Sequence, residues 1–220
     1  MLPNQNIYMG NIPGNDLGPG IQWCFDQQAR VMNFSVEGDD RMDAELDYYA
    51  LKGPYYPVMV AAAGNRWGPV TNKTKNGLVV GATDDRGTAS LVDDTMWDDM
   101  NPQNPHSSAS ENPVLSNHDY ELPHLVAPGA RITAGSLDHS GTSLAAPQVA
   151  GAAMLVLARN DQLRIYPEAT KSVIMATAIA GMWTSRFTHL PAGDEWGTDG
   201  YRDRRDGVGL LDTGKAVALA

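Results

Sequence analysis

Blocks of apolar residues of two lengths recur along the chain, and they predict its secondary structure. Short continuous apolar blocks predict buried strands, whereas longer blocks with apolar positions three or four residues apart predict helices. Strands are predicted near residues 6–10, 30–36, 57–63, 77–83 and 124–127. Helices are predicted near 19–29, 41–52, 142–159 and 167–180, with a short helix after Thr213. This alternation indicates an α/β fold of three layers, in which helices cover both faces of a doubly wound, mainly parallel sheet.

The helix near 142–159 opens with an unusual run of small residues. Residues 141–151 read GTSLAAPQVAG, and every residue from Val149 to Ala158 is apolar or glycine. Such a helix is expected to be buried on all sides, in the centre of a domain. Ser143 stands at its N-terminus, where unpaired backbone N–H groups and the positive end of the helix dipole favour a developing oxyanion. The structural alternative is that the Thr-Ser pair merely caps the helix.

Residues 141–151 resemble the nucleophile motif of the subtilisin-like serine peptidases, the subtilases. Four further segments resemble the family in the same order along the chain: 31–38 (VMNFSVEG), 57–65 (PVMVAAAGN), 80–83 with 126–129 (VGAT and VAPG), and 207–212 (GVGLLD). The resemblance implies a subtilisin-like fold and peptide-bond hydrolysis through an acyl-enzyme, with Ser143 as the nucleophile.

The resemblance also assigns a role to Asn65, which follows a predicted strand and Gly64. The family keeps its oxyanion-hole asparagine at this place, and an amide suits the task because it donates without carrying charge. Taken alone, Gly-Asn after a strand is typical of a simple turn. The substrate-binding residues implied by the resemblance are Ser35, Val36, Glu37, Gly38, Ala62, Ala63 and Gly64.

Glu37 departs from the family, which usually has glycine beside the substrate backbone. A carboxylate at this position either narrows the cleft or attracts a basic side chain of the peptide. A third interpretation is that Glu37 points to solvent from the end of its strand.

A serine hydroxyl is a weak nucleophile until an imidazole accepts its proton and a carboxylate orients that imidazole. The family carries its aspartate in an Asp-Ser/Thr-Gly motif after an early strand, and its histidine in a His-Gly-Thr motif. Neither motif occurs ahead of Ser143 in this chain. Residues 2–10 resemble a family strand that follows the catalytic histidine, so we expect the N-terminal third of the domain to be missing. The strand near 6–10 is then expected to be detached, re-paired or completed by a second chain.

No histidine of the chain is an evident substitute for the missing base. The five are His106, His118, His124, His139 and His189. His139 lies four residues before Ser143. At this position the chain lies below the N-terminus of the helix, so we expect His139 on a surface or substrate-side loop and not beside the Ser143 hydroxyl. The other four stand in segments whose Asn, Ser, Pro and Gly content is typical of exposed loops.

Residues 84–121 are polar and lack a helical or strand period, which predicts a long loop insertion. Its carboxylates could bind calcium, but their spacing matches no calcium motif, and a solvated acidic loop is the favoured interpretation. These residues are Asp93, Asp94, Asp98 and Asp99. The same holds for Asp194, Glu195, Asp199, Asp203 and Asp206. The sequence therefore predicts no cofactor and no metal ligands.

Composition bounds the remaining interpretations. A chain of 220 residues that is 42% hydrophobic can bury the core of one domain. The net charge of −10 argues against a nucleic-acid partner. No apolar run is long enough to predict a membrane partner. The single cysteine, Cys24, excludes an internal disulfide and is expected to be an inert thiol on the buried face of a helix.

Two classes of function remain open. In the first, the chain is part of a subtilisin-like endopeptidase whose Asp and His lie on an upstream segment or on a second chain. In the second, it is a stand-alone pseudopeptidase that binds a peptide or protein without cleaving it. Ser143 and Asn65 favour the first class, because binding alone needs neither; the initiating methionine and self-contained length favour the second. Under both, these 220 residues alone are expected to be inactive.

Overall fold

The computed structural model describes residues 6–9, 17–52, 55–66, 68–91, 93–99, 106–110, 122–180 and 207–220. Its central layer is a five-stranded sheet. The strands are β1 (Val31–Phe34), β2 (Val58–Ala62), β3 (Leu78–Asp84), β4 (Thr95–Met96) and β5 (Leu125–Pro128). The pairs β1–β2, β2–β3 and β3–β5 are parallel, and β4 pairs antiparallel with the end of β3. A separate hairpin joins β6 (Ile132–Ala134) to β7 (Leu137–His139).

Helices cover both faces of this sheet. They are α1 (Gly18–Asp26), α2 (Asp40–Lys52), α3 (Thr142–Arg159), α4 (Pro167–Ala176) and α5 (Thr213–Leu219), with a 3-10 turn at Asp161–Ile165. Alternate residues of β2 serve opposite faces: Met59 and Ala61 pack with α1 and α2, whereas Val60 packs with α3. The three-layer α/β fold expected from the sequence is therefore confirmed, with a mainly parallel sheet as its middle layer.

Helix α3 lies at the centre of the larger core. Its buried positions are mostly small, among them Ala145, Ala146, Val149 and Ala153. Small side chains let the helix axis approach the sheet closely, so α3 contacts β1, β2, β3 and β5 together. The predicted bounds of this helix are those observed. The expectation that it is buried on all sides is wrong, because Pro147 and Ala158 are exposed and Met154 and Leu155 are only partly buried.

The predicted strand near 6–10 is wrong for the residues that the structure describes. Residues 6–9 form no strand, and Ile7 and Met9 are 85% and 91% exposed. The segment is attached through Tyr8, whose ring packs edge-on against Trp23 at a centroid distance of 5.8 Å. An apolar run becomes a strand only when a neighbouring strand pairs with it. Within the described ranges β1 pairs with β2 alone, which corresponds to the detached outcome.

The polar segment 84–121 is more ordered than a solvated loop where the structure describes it. Strand β4 lies within it, Trp97 is buried, and Asp98 forms a bridge to Ser107. Asp94 is only 3% exposed, so the expectation of a solvated carboxylate is wrong there. A loop was predicted here because the segment is polar. The short strand β4 forms nevertheless, because the end of β3 pairs with it.

Three further predictions need correction or qualification. Helix α4 ends at Ala176 and not near 180, because Ile179 leaves the helix to form a bridge with Leu210. Cys24 is only partly buried against the α1–α2 core, and this burial raises the pKa of its thiol. The acidic residues of 194–206 lie outside the described residues. None of the helices in the described ranges is both long and apolar enough to cross a membrane.

Candidate active site

The N-terminus of α3 is held against the end of β5 by a backbone hydrogen bond. The Gly141 N–H donates to the Gly129 carbonyl at 2.8 Å. A side chain on Gly129 would stand 2.8 Å from the Gly141 carbonyl oxygen and 2.7 Å from the Ala82 Cβ, so only glycine fits there. Gly141 supplies no side-chain cap, and the first N–H groups of α3 must find partners elsewhere.

Asn65 supplies that missing cap. Its Oδ1 accepts hydrogen bonds from the Thr142 backbone N–H at 2.8 Å and from the Thr142 hydroxyl at 3.0 Å. The Gly64 N–H in turn donates to Thr142 Oγ1 at 3.1 Å. The turn after β2 and the first residue of α3 are thus bound to each other, one residue before Ser143. Because its oxygen is fixed on Thr142, the orientation of the Asn65 amide is fixed as well.

Ser143 is partly buried and is bound to Ser35, which follows β1. The Ser143 hydroxyl donates to the Ser35 carbonyl at 3.3 Å, and the Ser35 hydroxyl donates to the Ser143 carbonyl at 2.9 Å. That carbonyl lacks a helical donor because the residue four positions later is Pro147, which has no N–H. Asn33 Nδ2 holds the Ser35 hydroxyl at 2.9 Å. The motif proline thereby explains why α3 is tied to the end of β1.

The structure brings the two predicted substrate-binding segments side by side at the carboxyl ends of β1 and β2. Residues 35–38 continue beyond β1, and residues 62–64 close β2. Val36 and Glu37 are exposed. The backbone of Ala63 is engaged within the fold, by bonds with Val80 and Thr71, and the Gly64 carbonyl accepts from Ala109. Residues 35–38 are therefore the more accessible of the two segments.

The described histidines lie in three different settings. His139 is exposed on β7, opposite Ile132, and His106 is exposed with its backbone bonded to Asp99. His124 is 5% exposed, so the prediction of an exposed loop residue is wrong there. It directly precedes β5. Because Pro123 stands beside it, the sequence pattern indicated an exposed loop and not a buried position. His118 and His189 lie outside the described residues.

His124 takes part in a buried hydrogen-bonded group at the amino end of the sheet. The Val79 N–H donates to its Nδ1 at 2.9 Å, so the neutral ring carries its proton on Nε2. That nitrogen lies 2.8 Å from Lys171 Nζ, which also donates to the carbonyls of Lys75 and Gly77 at 2.8 and 2.7 Å.

Burial lowers the pKa values of both His124 and Lys171. It lowers the pKa of His124 well below its usual range, with the Lys171 charge as a second cause. Burial also lowers the pKa of Lys171 to about 8, against a smaller opposing effect of Asp47. The imidazole that this part of the chain buries is thus neutral and fully engaged in holding the sheet.

The carboxyl end of the sheet carries acidic side chains of a different kind. Burial, followed by the charges of Asp85, Asp93 and Asp84, raises the pKa of Asp94 to about 6. Its Oδ1 is buried without a hydrogen-bond partner. Asp84 instead forms an ion pair with Arg131. Within the described ranges, no group of three or more His, Cys, Asp or Glu side chains is arranged to hold a metal ion.

One Asp-Thr-Gly triplet does occur in the chain, at residues 212–214, after Ser143. Asp212 is the N-cap of α5, and its Oδ1 accepts from the Lys215 N–H at 2.8 Å. The Lys215 bonds lower the pKa of this carboxyl. Asp212 therefore has a structural partner of its own at the last helix.

Two residues of the site were not singled out from the sequence. Thr142 could have been, since it belongs to the same motif as Ser143 and its hydroxyl is the link to Gly64. Asn72 could not. It lies in a polar stretch with no motif, yet it is fully buried between the two cleft segments.

Comparisons with known proteins agree on one family. A sequence model of the Subtilase family matches residues 9–209. The serine protease AprX of Bacillus subtilis (strain 168) is 27% identical over 197 residues, which cover 72% of this chain and 41% of that protein. This chain thus spans less than half the length of that relative.

Solved structures are similar in fold. The patellamide maturation protease PatA has a TM-score of 0.59 at 23% identity, over 92% of this chain and 67% of that one. A cold-adapted subtilisin-like serine proteinase has a TM-score of 0.56 at 22% identity, over 89% and 59%. At these identities the similarity shows a common fold.

Proposed function

Because this chain belongs to the subtilase family of serine peptidases, we propose that it is the part of a subtilisin-like endopeptidase that carries the nucleophile and the oxyanion hole. In this proposal Ser143 attacks the peptide carbonyl and forms the acyl-enzyme, and Asn65 donates to the oxyanion. The observation that carries the proposal is the bond between Asn65 Oδ1 and the first N–H of α3, which holds the asparagine beside the serine.

The fixed asparagine supports the oxyanion role. Donors stabilise a transition state best when they are oriented before charge develops, since no reorganisation is then needed. The Thr142 bonds at 2.8 and 3.0 Å hold the Asn65 oxygen and leave its two N–H donors on the opposite side of the amide. The α3 N-terminus adds backbone N–H groups and a positive dipole end at the same place.

We propose further that the aspartate and histidine come from outside these 220 residues, on an upstream segment or a second chain. The edge of β1 supports this, because among the described residues β1 has a neighbouring strand on one side only. The Arg30 carbonyl accepts from Val58 of β2, so the backbone groups of Val31, Asn33 and Ser35 point away from β2. The Ser143 hydroxyl meets the Ser35 carbonyl at that edge. A parallel strand added there would end beside Ser143.

The second candidate is a pseudopeptidase that binds a peptide or protein without cleaving it. The observation in its favour is the Ser143 hydroxyl itself, which donates to a backbone carbonyl and not to an imidazole. The carboxyl-end cleft between residues 35–38 and 62–64 is the binding site in either case.

Co-expression separates the two candidates. The chain is produced with the polypeptide encoded directly upstream, if that carries the aspartate and histidine motifs, and casein cleavage is measured. The endopeptidase proposal predicts cleavage that Ser143→Ala abolishes. A folded complex that does not cleave, or an upstream region without these motifs, would favour the pseudopeptidase.

A further inference from the structure

Asn72 joins the two walls of the proposed cleft. It lies in the loop between β2 and β3 and is fully buried. Its Nδ2 donates to the Val36 carbonyl at 2.8 Å and also to the Ala62 carbonyl. One acceptor belongs to each wall, beyond Phe34 and Ala61, the last paired residues of β1 and β2. A single side chain thus continues the ladder where the two strands separate.

The Asn72 amide has one possible orientation, and in it the amide oxygen lacks a hydrogen-bond partner. Exchanging the amide oxygen and nitrogen would turn the oxygen toward two carbonyl oxygens, so only one orientation is compatible with the bridge. The Oδ1 is then buried with no hydrogen-bond partner, which is unfavourable. It lies against Gly38, where an added Cβ would come within 1.8 Å of it.

The opposite wall is filled in the same way. A Cβ on Gly64 would come within 2.8 Å of Thr71 Oγ1, and that hydroxyl donates to the Ala63 carbonyl at 3.1 Å. Thr71 and Asn72 therefore occupy the space that two wall glycines leave. An open surface depression of about 530 Å³ lies beside this packing and is lined in part by Gly38 and Thr71.

We propose that Asn72 is a specificity-determining residue, which restricts the peptide side chain held between Gly38 and Gly64 to a small one such as that of glycine or alanine. The inference rests on the proposed function, because it takes residues 35–38 and 62–64 as the substrate-binding walls. A larger side chain would have to displace Asn72 and break both of its bonds. Close-packed interiors resist such displacement.

Peptide selectivity tests this directly. Capped, unreactive tetrapeptides that differ only in their last residue (glycine, alanine, valine or phenylalanine) are titrated into the ¹⁵N-labelled chain, following the amide signals of Gly38, Gly64 and Ser143. We expect the alanine peptide to bind at least about tenfold more tightly than the phenylalanine peptide, as for other pocket mismatches. Asn72→Ala and Asn72→Ser should each reduce that ratio.

Asn76→Ala is the matched control, since Asn76 lies in the same loop but bonds to Asp47 of α2. It should leave the ratio unchanged. If the Asn72 variants do not fold by circular dichroism, the wild-type series decides: affinity that falls with side-chain volume supports the inference, and equal affinities overturn it. Peptide binding without this selectivity overturns the inference alone. Absence of any peptide binding overturns the proposed cleft as well.

Discussion

The two ends of the parallel sheet carry polar side chains in different settings. At the amino end, His124 is buried, Lys171 is partly buried, and both are bonded to backbone groups that start β3. At the carboxyl end, Ser143 is partly buried, and its hydroxyl donates to a carbonyl at the edge of β1. The chain therefore buries an imidazole where it stabilises the fold and leaves Ser143 partly exposed at the opposite end of the sheet. The groups that surround His124, and not its residue type, show that this histidine is structural.

The largest expected effect concerns the amino end. His124→Ala removes a buried ring and leaves the Val79 N–H and the Lys171 amine without a partner that they now share. We expect a loss of about 2 to 5 kcal/mol in the free energy of unfolding, measured by urea denaturation. His139→Ala, at an exposed position of β7, should change it by less than about 0.5 kcal/mol. Equal effects of the two substitutions would contradict a structural role of His124.

An intermediate effect, of opposite sign, is expected at the carboxyl end. The pKa of Asp94 is raised to about 6 from an ordinary 3.8, so the folded state holds a proton that the unfolded state loses between these values. Its contribution is fully present below pH 3.8 and is lost as the pH rises through 6. Asp94→Asn should therefore stabilise the protein by about 1 to 2 kcal/mol at pH 7.

That gain should shrink as the pH falls from 7 toward 4, because Asp94 then becomes neutral in the folded wild type. Urea denaturation of both proteins at several pH values measures it. Asp138→Asn, which removes an exposed carboxylate on β7, is the control and should show no such trend. A gain independent of pH would show that the unpaired charge of Asp94 is not its cause.

Several features of this comparison follow from the sequence, and others do not. Helix α3 and strands β2, β3 and β5 have strong apolar patterns, so their positions were predicted within a few residues. The GTS motif located Ser143, and the strand before Gly64 located Asn65. The unpaired segment at 6–9 was misassigned because its apolar pattern says nothing about a missing partner strand. The burial of His124 and Asp94 depends on contacts between distant parts of the chain, which no local pattern encodes.

An effect on stability of similar size to that at Asp94, but of opposite sign, is expected for Asn65→Ala. The substitution removes the acceptor of the Thr142 N–H and hydroxyl and should lower the free energy of unfolding by about 1 to 2 kcal/mol, as for other lost helix caps. In a completed enzyme it should also lower kcat by about 10²- to 10³-fold, a magnitude known from a subtilisin. Gln22→Ala, which loses only an exposed bond to Asp26 on α1, is the control. A loss of stability without a loss of kcat would show that Asn65 caps α3 and does not stabilise the oxyanion.

The central claim is that Ser143 is a nucleophile whose base lies outside these 220 residues. Fluorophosphonate labelling of the purified chain, followed by peptide mapping, tests it most directly. If no imidazole of the chain serves Ser143, reactivity should fall short of a complete triad by roughly 10³- to 10⁶-fold. We predict no label at Ser143 of the chain alone, and labelling once a segment with the aspartate and histidine motifs is added. Robust labelling of the chain alone would contradict the account, because a base within the chain would then serve Ser143.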